Sequence, residues 1–238
     1  MLKIKNLTKH YKGSSKGVTN LSLHVEAGDI YAFIGHNGAG KTTTLKCVVG
    51  IHDFEEGEIY IDGLSMKENS YACKKKFAYI PDNPDLYDYL TGIQYLNFIA
   101  DIFEVPGKER QERIEKYAND FGIMSSLGDL ISSYSHGMKQ KLAIISALVH
   151  EPKLLILDEP FVGLDPQAAV VLKNKMRELC EKGGAIFFST HVLDVAEKLC
   201  NKVAIIKGGT LIKSGYMDEV VQDGISLEDI FMEVVCDE

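Results

Sequence analysis

The sequence predicts an α/β fold: a mostly parallel sheet with helices, an N-terminal antiparallel β subdomain and an inserted helical subdomain. Three observations predict it. An apolar, β-prone run at residues 30–34 is followed at once by a glycine-rich loop at 35–42 and by a helical pattern that ends at Gly50. Residues 58–63 alternate with period two and end in a turn, as an antiparallel strand does. From residue 91 to about 149, helical spacing interrupts this core.

The loop reads Gly-His-Asn-Gly-Ala-Gly-Lys-Thr, which completes the Gly-x4-Gly-Lys-Ser/Thr pattern. Its glycines let the backbone curl so that successive N–H groups point at a phosphate. Lys41 adds a charge for the outer phosphates, and Thr42 offers a hydroxyl to Mg²⁺. The alternative, a glycine-rich turn that binds nothing, does not explain the strand before the loop or the helix after it. We therefore predict a P-loop NTPase core that binds a nucleoside triphosphate.

The remaining elements follow from local patterns. Residues 1–5 alternate like a strand, and Thr91 is a plausible N-cap for a helix that Pro106-Gly107 ends; a charged helix follows at 108–121. The core resumes with a strand at 154–157, a helix at 166–182 and a strand at 185–188. Gly208-Gly209 predicts a hairpin, and Ser226 opens a short amphipathic helix that runs to residue 235.

Composition narrows the class of protein. The 238 residues carry 34 acidic and 26 basic side chains, a net charge of −8, which argues against a nucleic-acid partner. No apolar stretch approaches the roughly 18–20 residues that cross a bilayer. Five scattered cysteines without Cys-x-x-Cys spacing are typical of reduced thiols. We expect a cytoplasmic protein.

Two carboxylates follow the strand at 154–157. Asp158 and Glu159 are expected at the carboxyl edge of the sheet, where ligands of α/β proteins gather. There Asp158 suits the Mg²⁺ shell, and Glu159 suits a base that polarises the attacking water. The alternative is that the pair caps the following turn.

With these motifs in place, nearly the whole chain resembles the ATP-binding subunit of ABC transporters. The resemblance rests on ordered landmarks: the adenine-stacking aromatic Tyr11; the Walker A loop with Gly35, His36, Asn37, Gly38, Ala39, Gly40, Lys41, Thr42 and Thr43; Asp82 at the Q-loop; the signature with Ser135, His136 and Gly137; Walker B with Asp158 and Glu159; the D-loop with Asp165; and the switch histidine His191. Tyr11 is alternatively an aromatic side chain at a strand end.

The resemblance implies roles for these residues. Glu159 and His191 would be catalytic, and Thr42, Asp158 and Asp82 would hold the Mg²⁺ of ATP. Ser135, His136, Gly137 and Asp165 would contact, in trans, ATP held by another subunit. Two departures from the family pattern stand out: Asp82 replaces the Q-loop glutamine, and His136 and Met138 replace a glycine and a glutamine of the signature. Ser135 and Gly137 are retained, so we predict intact activity.

The resemblance implies one ABC ATPase domain, 1–238. Residues 1–82 and 152–224 would form a RecA-like core with the antiparallel β subdomain, 83–151 the helical signature subdomain, and 225–238 a short C-terminal helix. Most similar is the ABC-2-type or Ecs-like exporter branch. Expected partners are integral membrane permease subunits and a second ATP-binding subunit, identical or different, at the cytoplasmic face of the membrane.

Segment 83–90 would contact the permease, unless Leu86, Tyr87 and Leu90 pack inside the helical segment. Three other functions compete with transport. They are a soluble ABC ATPase acting on ribosomes or DNA, a P-loop kinase, and a nucleotide binder that does not hydrolyse. The acidic charge disfavours the first, the signature segment has no purpose in the second, and Glu159 and His191 argue against the third.

Overall fold

The computed structural model describes residues 1–11, 13, 16–221 and 224–236. The fold begins with an antiparallel sheet. Its strands lie in the order β2-β1-β4-β5, with bounds β1 (Leu2–His10), β2 (Gly17–Val25), β4 (Glu56–Ile61) and β5 (Leu64–Ser65). Alternate apolar residues of β1, such as Leu2 and Ile4, are buried. The predicted antiparallel N-terminal sheet is confirmed.

The second sheet has six strands, is mostly parallel, and includes the strands that the predicted site residues end or follow. The order is β10-β9-β3-β8-β7-β6, with bounds β3 (Ile30–Ile34), β6 (Phe77–Ile80), β7 (Leu154–Asp158), β8 (Ala185–Thr190), β9 (Lys202–Lys207) and β10 (Thr210–Tyr216). Its strands pair in parallel except β10, which returns antiparallel to β9 after the predicted Gly208-Gly209 hairpin. The carboxyl ends of β3, β7 and β8 therefore lie side by side.

Helices connect and cover the strands. Their bounds are α1 (Lys41–Val48), α2 (Ser70–Lys74), α3 (Gly92–Ile102), α4 (Gly107–Asp120), α5 (His136–Val149), α6 (Pro166–Glu181), α7 (Leu193–Leu199), α8 (Met217–Val220) and α9 (Leu227–Cys236). Thr91 and Gln94 form a capping box at α3, as the N-cap prediction requires. Short helices α2, α7 and α8 were not predicted, because they are too brief to show a period.

The parallel sheet is buried on both faces. Alternate residues such as Ile34 and Leu157 pack with the helices α3–α6, whereas Phe33 and Phe187 pack with the antiparallel sheet and α1. This explains why the core strands read as continuous apolar runs rather than alternating ones. The predicted α/β class is confirmed; the division into subdomains stays a prediction.

Three other expectations can be compared with the structure. In segment 83–90, Leu86 is buried and Leu90 half-buried, as the packing alternative requires, but Tyr87 and Tyr89 are exposed, with ring centroids 5.8 Å apart. Four cysteines are free and buried, namely Cys47, Cys73, Cys180 and Cys200, while the side chain of Cys236 lies outside the described part of the chain. Among the described helices, none combines the length and apolarity needed to cross a bilayer.

Candidate functional site

The glycine-rich loop lies between β3 and α1 and is pressed against β9. A Cβ on Gly35 would lie 2.6 Å from the carbonyl oxygen of Ile206, so no side chain fits there. Gly40 adopts a φ of 109°, a left-handed conformation that a glycine accepts without strain. The loop thus keeps its backbone tight at both ends and leaves His36, Asn37 and Gly38 exposed.

Lys41, the first residue of α1, turns its side chain back over the loop. Its Nζ donates to the carbonyl oxygen of Gly35 at 2.7 Å and lies 3.4 Å from that of His36 and 3.5 Å from Oε1 of Glu159. The side chain is only 7% exposed. A buried ammonium amid loop oxygens places a positive charge where an anionic phosphate is to be held.

Asp158 ends β7 with a carboxylate that is only half satisfied. The Ser189 hydroxyl donates to Oδ1, whereas the buried Oδ2 has no hydrogen-bond partner among the described residues. Burial raises the pKa of Asp158 and the nearby Asp82 carboxylate raises it further, while the hydrogen bond from Ser189 and the nearby Thr42 hydroxyl lower it. The unpartnered Oδ2 of Asp158, the Thr42 hydroxyl and the Asp82 carboxylate together are a set of oxygen ligands of the kind that fits Mg²⁺.

Glu159 is held in a strained backbone position. Its φ is 48°, which is uncommon for a residue other than glycine, and its N–H is fixed by the carbonyl (3.2 Å) and hydroxyl (3.1 Å) oxygens of Ser189. Oε2 lies 3.0 Å from Nδ1 of His191 and accepts from the His191 N–H at 3.3 Å. The carboxylate is therefore aimed by His191 on one side and Lys41 on the other. These contacts bring together the two residues expected to be catalytic.

A cleft of about 220 Å³ joins these groups to the N-terminal sheet. Its lining includes eight of the predicted ATP-binding residues together with the predicted Q-loop and catalytic acids, but not Gly35, Ala39 or Asp158. These lining residues are Tyr11, His36, Asn37, Gly38, Gly40, Lys41, Thr42, Thr43, Asp82 and Glu159. The hydroxyl of Tyr11 lies 3.3 Å from that of Thr43, and its ring meets His52 edge-on, with centroids 5.9 Å apart. Tyr11 is 37% exposed, so its ring remains accessible beside the loop. Lys16 also lines the cleft, although nothing in the local sequence marked it.

The signature residues form a second cluster that does not line this cleft. Ser135 is the N-cap of α5 and accepts from the N–H of Met138 at 3.3 Å. His136 packs on the D-loop: a Cβ on Gly163 would lie 2.6 Å from its imidazole ring. Within one chain, the structure therefore does not bring the residues expected to contact ATP in trans to the phosphate loop.

Asp165 and Lys141 tie the signature helix to the D-loop. Nζ of Lys141 lies 2.6 Å from Oδ2 of Asp165, while Oδ1 accepts from the N–H of Ala168 and caps α6. The Lys141 side chain holds the pKa of Asp165 below its usual range. Asp165 is thus already an ion-pair partner and a helix cap, two roles that the motif did not indicate.

Ser189 is the functional residue that sequence reasoning missed most clearly. It pairs directly with Asp158 across the parallel strands β7 and β8 and touches both acids. A polar residue at the end of the strand beside the Asp-Glu pair is the signal that would have found it. However, the local sequence does not show which strands are neighbours in the sheet.

Comparisons with known proteins agree on one family. The family model described as ABC transporter matches residues 18–162. The ABC-type transporter ATP-binding protein EcsA of Bacillus subtilis is 32% identical over 98% of this chain and 96% of its own length. The bacitracin transport ATP-binding protein BcrA of Enterococcus faecalis is 35% identical over 92% of this chain and 70% of its own.

Solved structures extend the match to three dimensions. The structure of an ATP-binding subunit of an ABC transporter has a TM-score of 0.94 at 33% identity, covering 98% of this chain and 99% of that one. A dimeric ATP-binding cassette, MJ0796, bound to ADP and Pi, has a TM-score of 0.79 at 25% identity, covering 92% and 99%. The chain therefore belongs to the ABC transporter family, as an ATP-binding subunit that hydrolyses ATP to drive transport.

Proposed function

We propose that this chain is one of two ATP-binding subunits that close head to tail in an exporter. The observation that carries the proposal is the separation of the two clusters: Ser135, His136, Gly137 and Asp165 lie outside the cleft that contains Lys41. A phosphate loop and a signature that do not meet within one chain form one complete site only when a second subunit supplies the other half.

ATP binding uses the cleft residues in distinct ways. The loop N–H groups and Lys41 hold the phosphates, and the accessible ring of Tyr11 stacks on adenine. Thr42, Asp158 and Asp82 would hold Mg²⁺, which supplies charge neutralisation on the phosphates when bound. Because Lys41 lies 3.5 Å from Glu159 in this structure, an arriving phosphate competes with that carboxylate for the ammonium.

Hydrolysis depends on Glu159 and His191. Once Lys41 is engaged by phosphate, the Glu159 carboxylate is free to accept a proton from a water, and its contact with Nδ1 of His191 keeps it aimed. The imidazole of His191, whose side chain is 54% exposed, would contact the γ-phosphate. Closure on ATP and reopening after hydrolysis would then be passed to separate permease subunits.

Export and membrane location rest on relatives and on one surface. BcrA is named for bacitracin transport, and SkfE of Bacillus subtilis, 33% identical over 92% of this chain, for peptide export. A structural relative at 26% identity, cbiO1 of Clostridium perfringens, is described as part of the ABC transporter complex cbiONQ. In this chain the exposed rings of Tyr87 and Tyr89 on the helical segment 83–151 offer a contact surface for a permease at the cytoplasmic face.

The test of the composite site is nucleotide-dependent dimerisation. Glu159→Gln keeps the size of the side chain but removes the base, so we expect it to bind MgATP and accumulate as a dimer in size-exclusion chromatography with light scattering. Glu112→Gln, an exposed change of equal charge on α4, is the matched control and should behave as wild type. A Glu159→Gln protein that stays monomeric with MgATP contradicts the sandwich.

A mixing experiment separates action in trans from action within one chain. Lys41→Ala removes the phosphate-binding charge and Ser135→Ala removes the signature hydroxyl, so each variant alone should be inactive. Mixed dimers retain one site with an intact loop and an intact signature, and ATPase activity should recover. If mixing does not restore ATPase activity, the result contradicts the proposal.

The transport role has a separate test, which is to identify what co-purifies with the native complex. Ribosomes instead of an integral membrane protein would contradict the transport role.

A further inference from the structure

The C-terminal helix α9 packs against the phosphate loop. Its inward residues Leu227, Ile230 and Phe231 are 0%, 5% and 7% exposed. The ring of Phe231 meets the imidazole of His36 with centroids 4.9 Å apart and planes inclined by 60°. This is an edge-to-face geometry that aromatic rings prefer. A helix nearly two hundred residues downstream along the chain thus touches the exposed part of the loop.

His36 is a sensitive place to touch. Its carbonyl oxygen accepts from the N–H of Ala39 at 3.1 Å and lies 3.4 Å from Nζ of Lys41, so it helps form the turn that surrounds the phosphate-binding charge. His36 and the next two residues are exposed, and Phe231 supplies buried packing on one side of this part of the loop.

The other end of α9 contacts the switch region. The N–H of Leu227 donates to Oε2 of Glu197 at 2.9 Å. Glu197 lies on α7, which begins two residues after His191. One short helix therefore contacts both the loop that holds the phosphates and the segment that follows the switch histidine.

We propose that Phe231 is a positioning residue for nucleotide binding. Through the His36 ring it holds the phosphate loop in the shape that receives ATP, and α9 couples that shape to α7. The proposal rests on ATP binding by this loop. Because coupling between two sites is reciprocal, bound nucleotide should in turn hold α9 more firmly.

The first test compares Phe231→Ala with Met232→Ala, its neighbour on α9, whose side chain is half exposed. We measure the Kd of MgATP on the full chain and the KM and kcat of ATP hydrolysis. For Phe231→Ala we expect the Kd and KM to rise about two- to tenfold, the range an aromatic pair contributes, with little change in kcat. Met232→Ala should match wild type. Binding of MgATP to the wild-type chain tests the nucleotide site itself, independently of the role of Phe231.

Two further measurements distinguish positioning from simple loss of folding. Phe231→Leu keeps an apolar side chain in the buried position, so it should retain thermal stability while its affinity for MgATP stays reduced. In a double-mutant cycle, Phe231→Ala should cause little further loss in a His36→Ala background. Hydrogen exchange in α9 should slow when MgATP is added to wild type.

Three results would overturn the proposal. They are an unchanged Kd of MgATP in Phe231→Ala, fully additive losses of MgATP affinity in the cycle with His36→Ala, and hydrogen exchange in α9 that does not change when MgATP is added. A parallel fall in kcat and in the fraction of folded protein, with Kd unaltered, would assign Phe231 a structural role alone.

Discussion

Ser189 joins the two acids of the site, and its replacement by alanine isolates that role. The hydroxyl donates to Oδ1 of Asp158 and accepts from the N–H of Glu159 at 3.1 Å, and the residue is completely buried. The Glu159 N–H keeps a second acceptor, the Ser189 carbonyl at 3.2 Å. The Asp158 carboxylate has no second hydrogen-bond donor to replace the Ser189 hydroxyl, because its Oδ2 is unpartnered among the described residues.

The size of the effect follows from this asymmetry. A hydrogen bond to a charged group contributes about 1.5–3 kcal/mol, so Ser189→Ala should lower the free energy of unfolding by about 2–3 kcal/mol. For a chain of this length that corresponds to a fall of roughly 4–12 °C in Tm. Residues that orient metal ligands typically affect activity about ten- to a hundredfold, and we expect kcat to fall within that range.

Proton linkage gives the direction of the pH effect. The bond from Ser189 lowers the pKa of Asp158, which burial has already raised, so removing the hydroxyl raises that pKa further. The acid limb of the pH–rate profile should therefore move to higher pH in Ser189→Ala.

The assay combines thermal unfolding with ATPase rates measured as a function of Mg²⁺ concentration and pH. Ser146→Ala is the matched control: this serine of α5 is also buried, and its hydroxyl donates to the Ala143 carbonyl at 2.8 Å. It should change stability modestly and leave kcat unchanged. A Ser189→Ala enzyme with wild-type kcat, or an equal loss of activity in Ser146→Ala, would refute the reasoning.

Three other expectations follow from single contacts. His191→Ala removes the 3.0 Å contact that aims Glu159 and should lower kcat about ten- to a hundredfold with little change in the Kd of ATP, as measured by equilibrium binding; equal losses in both would speak against an aiming role. Asp82→Gln removes one of the clustered carboxylates and should raise the Mg²⁺ concentration for half-maximal ATPase rate; an unchanged Mg²⁺ titration would exclude Asp82 from the metal shell. His150 stacks on Phe103 at 3.6 Å, and burial lowers its pKa to about 4 from 6.5. Since only the unfolded chain then binds the proton between these values, stability should fall by about 3 kcal/mol as the pH drops from 6.5 to 4, and His150→Phe should remove this slope in urea titrations; identical slopes would contradict it.

Local sequence was enough to place several elements and most cleft residues. The phosphate loop could be recognised because its glycines, Lys41 and Thr42 are consecutive, and the N-cap at Thr91 because a capping box spans only four residues. The carboxyl edge of the sheet could be inferred because an apolar run leads directly into Asp158. Each of these inferences depends on neighbours within one turn or one strand.

What local sequence could not place depends on which strands and helices become neighbours. Ser189 reaches Asp158 only because β8 lies beside β7 in register, and Phe231 reaches His36 only because α9 returns to the loop. The His136 ring meets Gly163 for the same reason.

The sequence by itself indicated that this chain binds a nucleotide and that a carboxylate pair ends a core strand, because those features follow from short, contiguous patterns. The family resemblance added the prediction that Glu159 and His191 act there. Only the tertiary structure decided how the acids are held, what supports the exposed part of the loop, and that the Ser135 cluster lies away from the cleft. These are distances between residues far apart in the chain, and they are fixed by packing and strand order rather than by local preference.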